Sequence, residues 1–179
     1  MASFKIRPAE PTDVEDILSM IQELANYLKC ENQMQLTRES LLEDGFGEDK
    51  YFHCIVAEKD ESDIESSVPE LIGYALYFYT YSTWEGRMLY MEDLYVCPEY
   101  RGEGVGSCLW KTVAKEAVKR KCTRMQWVVA NWSQSSIEYY KRNGAEDMTK
   151  EEGWHVFRMD QSALSEFASS SRRRNTATQ

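Results

Sequence analysis

The stretch MLYMEDLYVCPEYRGEGVG, residues 88–106, decides how the rest of this chain is read. Met88 to Val96 has the β-branched and aromatic content of a strand, and a proline and a glycine-rich turn follow at Pro98 to Gly106. From Val105 onward, Leu109, Val113 and Ala117 recur on one helical face. Lys115, Lys119, Arg120 and Lys121 gather toward the end of that helix, where cations favour its dipole. The order is strand, glycine turn, helix. Glycines in such a turn let backbone N–H groups approach a phosphate closely, and the first turn of the helix adds its positive end. The alternative is a turn that only connects two elements. A nucleoside triphosphatase is disfavoured, because the loop continues Ser107-Cys108 instead of Lys-Ser/Thr. A dinucleotide fingerprint belongs after the first strand of a repeated strand-helix pattern, whereas this loop comes late.

On the N-terminal side, Phe4 to Arg7 alternates apolar and basic residues as a strand does. Thr12 and Glu15 stand at capping-box spacing before Val14, Ile17, Leu18, Ile21, Leu24, Ala25 and Leu28, which predicts a helix of about four turns. A shorter helix is expected over Arg38 to Asp44, a strand over Phe52 to Glu58, a loop over Lys59 to Glu70 and an antiparallel strand over Leu71 to Tyr81. Gly86 marks the turn before Met88. C-terminal to the helix, MQWVVA (125–130) reads as a fifth strand, Ser135 to Arg142 as a short helix stopped at Asn143-Gly144, and HVFRM (155–159) as a sixth strand. Antiparallel strands followed by a strand-helix-strand crossover imply an α/β (α+β) fold with a mixed, mostly antiparallel sheet flanked by helices. The expected organisation is one domain over residues 1–167 and a disordered polar tail over 168–179.

Composition narrows the ligand. The net charge of −9 argues against nucleic acid, and setting aside the three arginines of the tail leaves −12 on the first 167 residues. Small cationic partners fit better, although the charge on its own reads as a solvated surface before a cation trap. No run is apolar enough for a membrane span, and no secretory leader is recognisable, so a cytoplasmic location is expected. The five cysteines lack metal-site spacing, so no metal is expected; Cys54 and Cys108 read as packed small hydrophobes.

The segment EDLYVCPEYRGEGVG (92–106) resembles the acetyl-coenzyme A motif R/Q-x-x-G-x-G/A of the GNAT superfamily, met here by Arg101, Gly104 and Gly106. FKIRPA, LLEDGFGE, YFHCIVAE, the WEGR turn, SIEYYKRNGA and EEGWHVF, spread over about residues 4–160, look like diamine (spermidine/spermine) acetyltransferase sequence. YSTWEGR is similar to the second subtype, for which thialysine-like amino acids are the expected acceptors.

The resemblance implies a splayed strand pair holding acetyl-CoA. The pantetheine arm would lie along Leu94, Tyr95 and Val96, and the pyrophosphate in the turn Arg101, Gly102, Glu103, Gly104, Val105, Gly106 and Ser107. Further cofactor contacts fall on Ser133, Gln134, Ser135, Ser136 and Tyr140, with Tyr140 and not its neighbour Tyr139 in the family register. Glu92 is the candidate base for the ammonium proton, Tyr140 the acid that protonates the leaving thiolate, and the Leu94 N–H the oxyanion donor. Tyr27, Trp84, Glu92, Asp93, Glu152 and Trp154 match positions around the amine. Glu92 and Asp93 are neighbours on a strand and point to opposite faces unless the strand bulges, as the family suggests. Leu28 and Ser82 stand where polyamine-acetylating members carry acids, which favours a lysine-like amino acid over spermine. The family also implies a homodimer. Two other readings compete, a CoA-responsive module without turnover and an acetyltransferase acting on lysines in proteins.

Overall fold

The structure, a computed structural model, describes residues 3–60 and 70–170, and the chain forms two compact units, Met1–Ala130 and Asn131–Gln179. The first unit holds the sheet. Its strands are β1 (Phe4–Pro8), β2 (His53–Lys59), β3 (Leu71–Ser82), β4 (Gly86–Val96) and β5 (Arg124–Gln126). They lie in the order β1-β2-β3-β4-β5, with every pair antiparallel except β4 and β5, which run parallel. Three helices accompany them, α1 (Val14–Tyr27), α2 (Arg38–Phe46) and α3 (Val105–Lys119). The mixed sheet expected from the strand order is present.

Alternation along β3 shows how the helices cover it. Tyr74 joins Val56, Leu76 and Tyr95 in a core with Val14, Ile17 and Met20 of α1 and Leu41 of α2. Gly73, one residue earlier, faces the other way, and a Cβ there would stand 3.3 Å from the Leu109 side chain of α3. Helices therefore cover both faces. Within α3, Val105, Leu109, Val113 and Ala117 are the buried stripe that periodicity predicts. Burying a side chain such as Leu109 stabilises the fold by about 1.5–3 kcal/mol. Cys108 is exposed instead of packed, because one residue off that stripe means a rotation of about 100° around the helix.

The start of α1 also differs from its expected cap. A 3-10 turn over Pro11–Asp13 precedes it, and the Asp13 carboxylate accepts from the Glu10 N–H at 2.7 Å while Arg7 donates to both its oxygens at 2.6 and 2.9 Å. An Asp held by a guanidinium from β1 replaces the Thr12–Glu15 box, tying the first strand to the first helix. Among the described residues no helix is long and apolar enough to cross a membrane, and no cluster of His, Cys, Asp and Glu could hold a metal ion.

In the second unit, α4 (Gln134–Arg142) ends before Gly144, whose φ of +90° is the left-handed stop predicted for Asn143-Gly144. Two short helices follow, α5 (Met148–Glu151) and α6 (Gln161–Ser169), the latter capped by Asp160, which accepts from the Ala163 N–H at 2.8 Å. Two expectations fail here. Residues 155–159 form no strand and Phe157 is 91% exposed, because a strand exists only where a neighbour accepts and donates its hydrogen bonds. The tail does not begin at Ala168, since α6 runs through Ser169; residues 171–179 lie outside the described residues, as do 61–69 of the expected loop.

Candidate active site

β4 is paired along its whole length with β3 but touches β5 only from Met88 to Tyr90. MQWVVA was expected to continue as strand to Ala130, yet β5 ends at Gln126. Beyond that residue the chain leaves β4, and Trp127 instead packs edge-on against Trp110 of α3 at 5.6 Å. Among the described residues no strand pairs with the β4 edge from Met91 to Val96, which is open to that extent on one side. Its polarity follows from one hydrogen bond, Cys97 N–H to Ile72 O at 3.0 Å, which directs residue 97 at β3. Backbone direction alternates along a strand, so Leu94 and Val96 present their polar groups to the open edge. The Val96 carbonyl there accepts from Arg101 Nε at 2.9 Å. A second, linear amide chain could lie against that edge.

A bulge sits at the head of the open edge. Leu76 pairs with Asp93 and Tyr77 with Met91, leaving Glu92 as the extra residue opposite the step. The extra residue breaks strict alternation, so Glu92 and Asp93 need not face opposite ways. Glu92 is exposed and Asp93 half-buried, with Asp93 Oδ2 accepting from the Tyr74 hydroxyl at 3.0 Å. Burial pushes the Asp93 carboxyl up, the Tyr74 hydrogen bond opposes it, and the charge of Glu92 adds to the rise. Among the described residues no lysine or arginine pairs with either carboxylate. This corner is ready for an external cation.

The glycine turn leads from the same strand into α3. Gly102 (φ +83°) and Gly104 (φ +90°) take left-handed conformations that residues with a Cβ adopt only at a cost, and a Cβ on either would meet nothing within 4 Å. Gly106, in ordinary helical conformation, would bring a Cβ to 3.5 Å from Val96. Gly104 is the N-cap of α3, and the helix has neither a side-chain cap nor an acid in its first turn. Val105 is buried beneath, while Glu103 and Ser107 complete the rim. The turn can cradle an anion with backbone N–H groups. Arg101 steadies it, its guanidinium lying 5.3 Å from the Tyr27 ring and 5.5 Å from that of Tyr95. Tyr95 is itself buried and donates to Glu23 of α1 at 2.6 Å, and its backbone faces β3 opposite Tyr74, so it shapes the edge without offering it a polar group.

Of the remaining amine-site candidates in this unit, Tyr27 is tied to the glycine turn through Arg101, and Trp84 stands 81% exposed in the β3–β4 turn. Ser82 is buried and its hydroxyl accepts from the N–H groups of Trp84 and Glu85, both at 3.2 Å. Leu28 is the C-cap of α1.

In the second unit, Ser133 to Ser136 start α4, with the Ser133 hydroxyl donating to Ser136 Oγ at 2.9 Å and Gln134 Nε2 to the Asn131 carbonyl at 2.7 Å. Ser135 is exposed in that first turn. Tyr140 lies one turn on from Ile137, half-buried, with the Tyr139 ring 5.7 Å away. Burial, with Tyr139 contributing, holds the Tyr140 phenol above its ordinary pKa, so it keeps its proton at neutral pH. Glu152 and Trp154 are brought together by a hydrogen bond from the indole N–H to the carboxylate, and the Trp154 ring is 59% exposed.

Sequence reasoning passed over Tyr74 and Glu23. Tyr74 reads as one of several aromatics in LIGYALYFYTY, and nothing local links it to an aspartate 19 residues away. Glu23 reads as a solvated residue of an amphipathic helix, although it closes the Tyr95 hydroxyl.

The model of the Acetyltransferase (GNAT) family matches residues 17–145. The chain is 44% identical to bovine (Bos taurus) thialysine N-epsilon-acetyltransferase over 94% of this chain and 99% of the relative. It is 37% identical to the Caenorhabditis elegans protein of the same name, over the same shares. It is also 41% identical to human spermidine/spermine N(1)-acetyltransferase-like protein 1, covering 94% of this chain but 24% of that longer protein. Among solved structures, an integron cassette protein from V. cholerae superposes with a TM-score of 0.73 at 22% identity, over 95% of this chain and all of that one. An aminoglycoside N-acetyltransferase in complex with CoA gives 0.66 at 17%, over 90% and 97%. At such identities the structures speak for the fold alone.

Proposed function

Since the chain belongs to the GNAT acetyltransferase family, we propose that it moves the acetyl group of acetyl-CoA directly to the primary amine of a small cationic acceptor, a thialysine-like amino acid ahead of a diamine or polyamine. The observation that carries this reading is the corner of β4, where two carboxylates that no cation among the described residues pairs with sit at a bulge, beside an open strand edge that runs into a glycine turn. Thialysine is favoured because relatives named for it align along almost their whole length, and because Leu28 and Ser82 supply no acid for a second or third ammonium. Ser82 is moreover already engaged in holding its own turn.

Acetyl-CoA supplies the thioester: the amine nitrogen bonds to its acyl carbon, the C–S bond breaks, and amide and thiol leave. The chain's residues would bind, polarise and move protons. The glycine cradle of Gly102 to Ser107 would hold the pyrophosphate and the β4 edge at Leu94 to Val96 the pantetheine amides. The Leu94 N–H would donate to the carbonyl oxygen as negative charge develops on it. An aliphatic amine with pKa of about 10 arrives protonated, and Glu92 would accept that proton directly or through water. The Tyr140 hydroxyl would donate to the departing sulfur. We further propose a cytoplasmic homodimer, which light scattering at micromolar concentration checks; a monomer refutes it.

The test of the acceptor is CoA release with acetyl-CoA and, separately, thialysine, lysine, 1,3-diaminopropane, spermidine, spermine and a lysine peptide. Preferential turnover of thialysine is expected; equal kcat/KM for spermine would end the amino-acid reading, and turnover of the peptide would favour protein substrates. A second prediction concerns the cradle. Gly104→Ala places a side chain at φ +90°, at a cost of about 1–2 kcal/mol, so KM for acetyl-CoA should rise about tenfold with amine KM unchanged. An unaltered acetyl-CoA KM in a variant that melts like the parent would count against pyrophosphate binding there.

A further inference from the structure

Among the described residues Tyr74 is the one buried polar side chain whose only hydrogen bond runs to a candidate acceptor-site residue, and that contact assigns it a role. Its ring is 0% exposed, set among Val14, Ile17 and Met20 of α1 and 6.2 Å from the ring of Tyr95. A phenol so placed needs a partner for its hydroxyl, since an unmet hydrogen bond in the core is costly. The partner is Asp93 Oδ2, 3.0 Å away across the β3–β4 pair.

Asp93 gains from the contact in turn. A half-buried carboxylate is unfavourable without compensation, and among the described residues Tyr74 is its sole hydrogen-bond partner. Among the described residues, the groups around it supply no positive charge. Glu92 adjoins it on β4, Cys54 faces the pair from β2 with its thiol proton held on by burial, and Glu23 of α1 is engaged by Tyr95. One carboxylate oxygen is therefore oriented by a rigid phenol and the other is left for a cation, in a locally negative field.

We infer that Tyr74 is a positioning residue, holding the Asp93 carboxylate at the β4 bulge as the anionic contact for the acceptor's ammonium group. The inference rests on the acetyl-transfer reading above for the identity of the cation, but the Tyr74–Asp93 coupling can be measured without turnover. Glu92 and Asp93 then divide the work at the bulge: the exposed carboxylate takes the proton, and the half-buried one binds the charge. The division explains why two adjacent acids stand here without a basic side chain between them.

The experiment compares the parent with Tyr74→Phe, Asp93→Asn and the double variant, each checked for folding by thermal melting. With aspartate labelled at its γ-carbon, the Asp93 carboxyl is identified by its loss in Asp93→Asn and titrated by 13C NMR. Loss of the Tyr74 hydroxyl removes a bond that favours the ionised form, so the Asp93 titration should move to higher pH in Tyr74→Phe. Adding thialysine with CoA present should shift the Asp93 signal in the parent. In steady-state assays Tyr74→Phe should raise the thialysine KM about tenfold, with kcat and acetyl-CoA KM nearly unchanged, and should add nothing in the Asp93→Asn background. A titration that does not move, or effects that multiply in the double variant, would overturn the inference and leave the acetyl-transfer reading standing. If the parent acetylates none of the amines, that reading fails by itself, and the thialysine-induced signal of Asp93 still decides the inference: its absence overturns it.

Discussion

Tyr140→Phe is expected to lower kcat for amine acetylation by about 10²–10³-fold while leaving KM for acetyl-CoA within about twofold. Phenylalanine keeps the ring beside Tyr139 and its place on α4, so what is lost is the O–H donor. A thiol has a pKa of about 8.5, so CoA that leaves without a proton leaves as a thiolate, a poorer leaving group than the thiol. The donor is available because burial keeps the Tyr140 proton on. Tyr139→Phe serves as the control. It lies about 100° around the helix from Tyr140 and should retain kcat within about twofold. Measured kcat above about a third of the parent in Tyr140→Phe would remove the tyrosine from the chemistry.

Glu92→Gln should lower kcat/KM for the amine by about 10²-fold at pH 7, with a recovery that identifies the reason. Glutamine preserves the size of the side chain at the bulge but accepts no proton. Without a base, the variant must use the fraction of acceptor that is already neutral. For an amine of pKa about 10 that fraction rises about tenfold per pH unit, so the variant's rate should climb steeply from pH 7 to 9 while the parent's climbs less. A loss that stays constant across this range would mean that Glu92 binds the acceptor instead of deprotonating it. Because Asp93 is assigned the binding of charge, Asp93→Asn should act mainly on amine KM and Glu92→Gln mainly on kcat.

The glycine turn was the most legible part of the site. Its meaning depends on contiguous residues, a strand end, glycines able to take positive φ and a helix start, and all three features are found at Val96, Gly102, Gly104 and Val105. The mixed, mostly antiparallel character of the sheet was legible for a similar reason, since runs of alternating residues separated by short turns pair antiparallel and a strand-helix-strand crossover pairs parallel. Errors arose where an element owes its existence to a distant neighbour. MQWVVA has strand composition throughout but is strand only over Arg124–Gln126, where β4 is within reach. HVFRM has the same composition and no partner among the described residues, and remains unpaired. Cys108 has apolar neighbours in sequence yet lies on the outer face of α3.

The amino-acid sequence by itself determined most of the strands and helices of the first unit, their order along the chain, and a glycine turn between strand and helix, because hydrophobic periodicity and glycine chemistry act over a few residues. The bulge that the resemblance suggested is placed at Glu92 by the tertiary structure, which alone decided that no described strand pairs with the edge from Met91 to Val96 and that the Asp93 carboxylate is held by a tyrosine from the neighbouring strand. Those features are set by hydrogen bonds between strands. Such bonds depend on register and on where two strands part, and residues far apart in the chain settle both together.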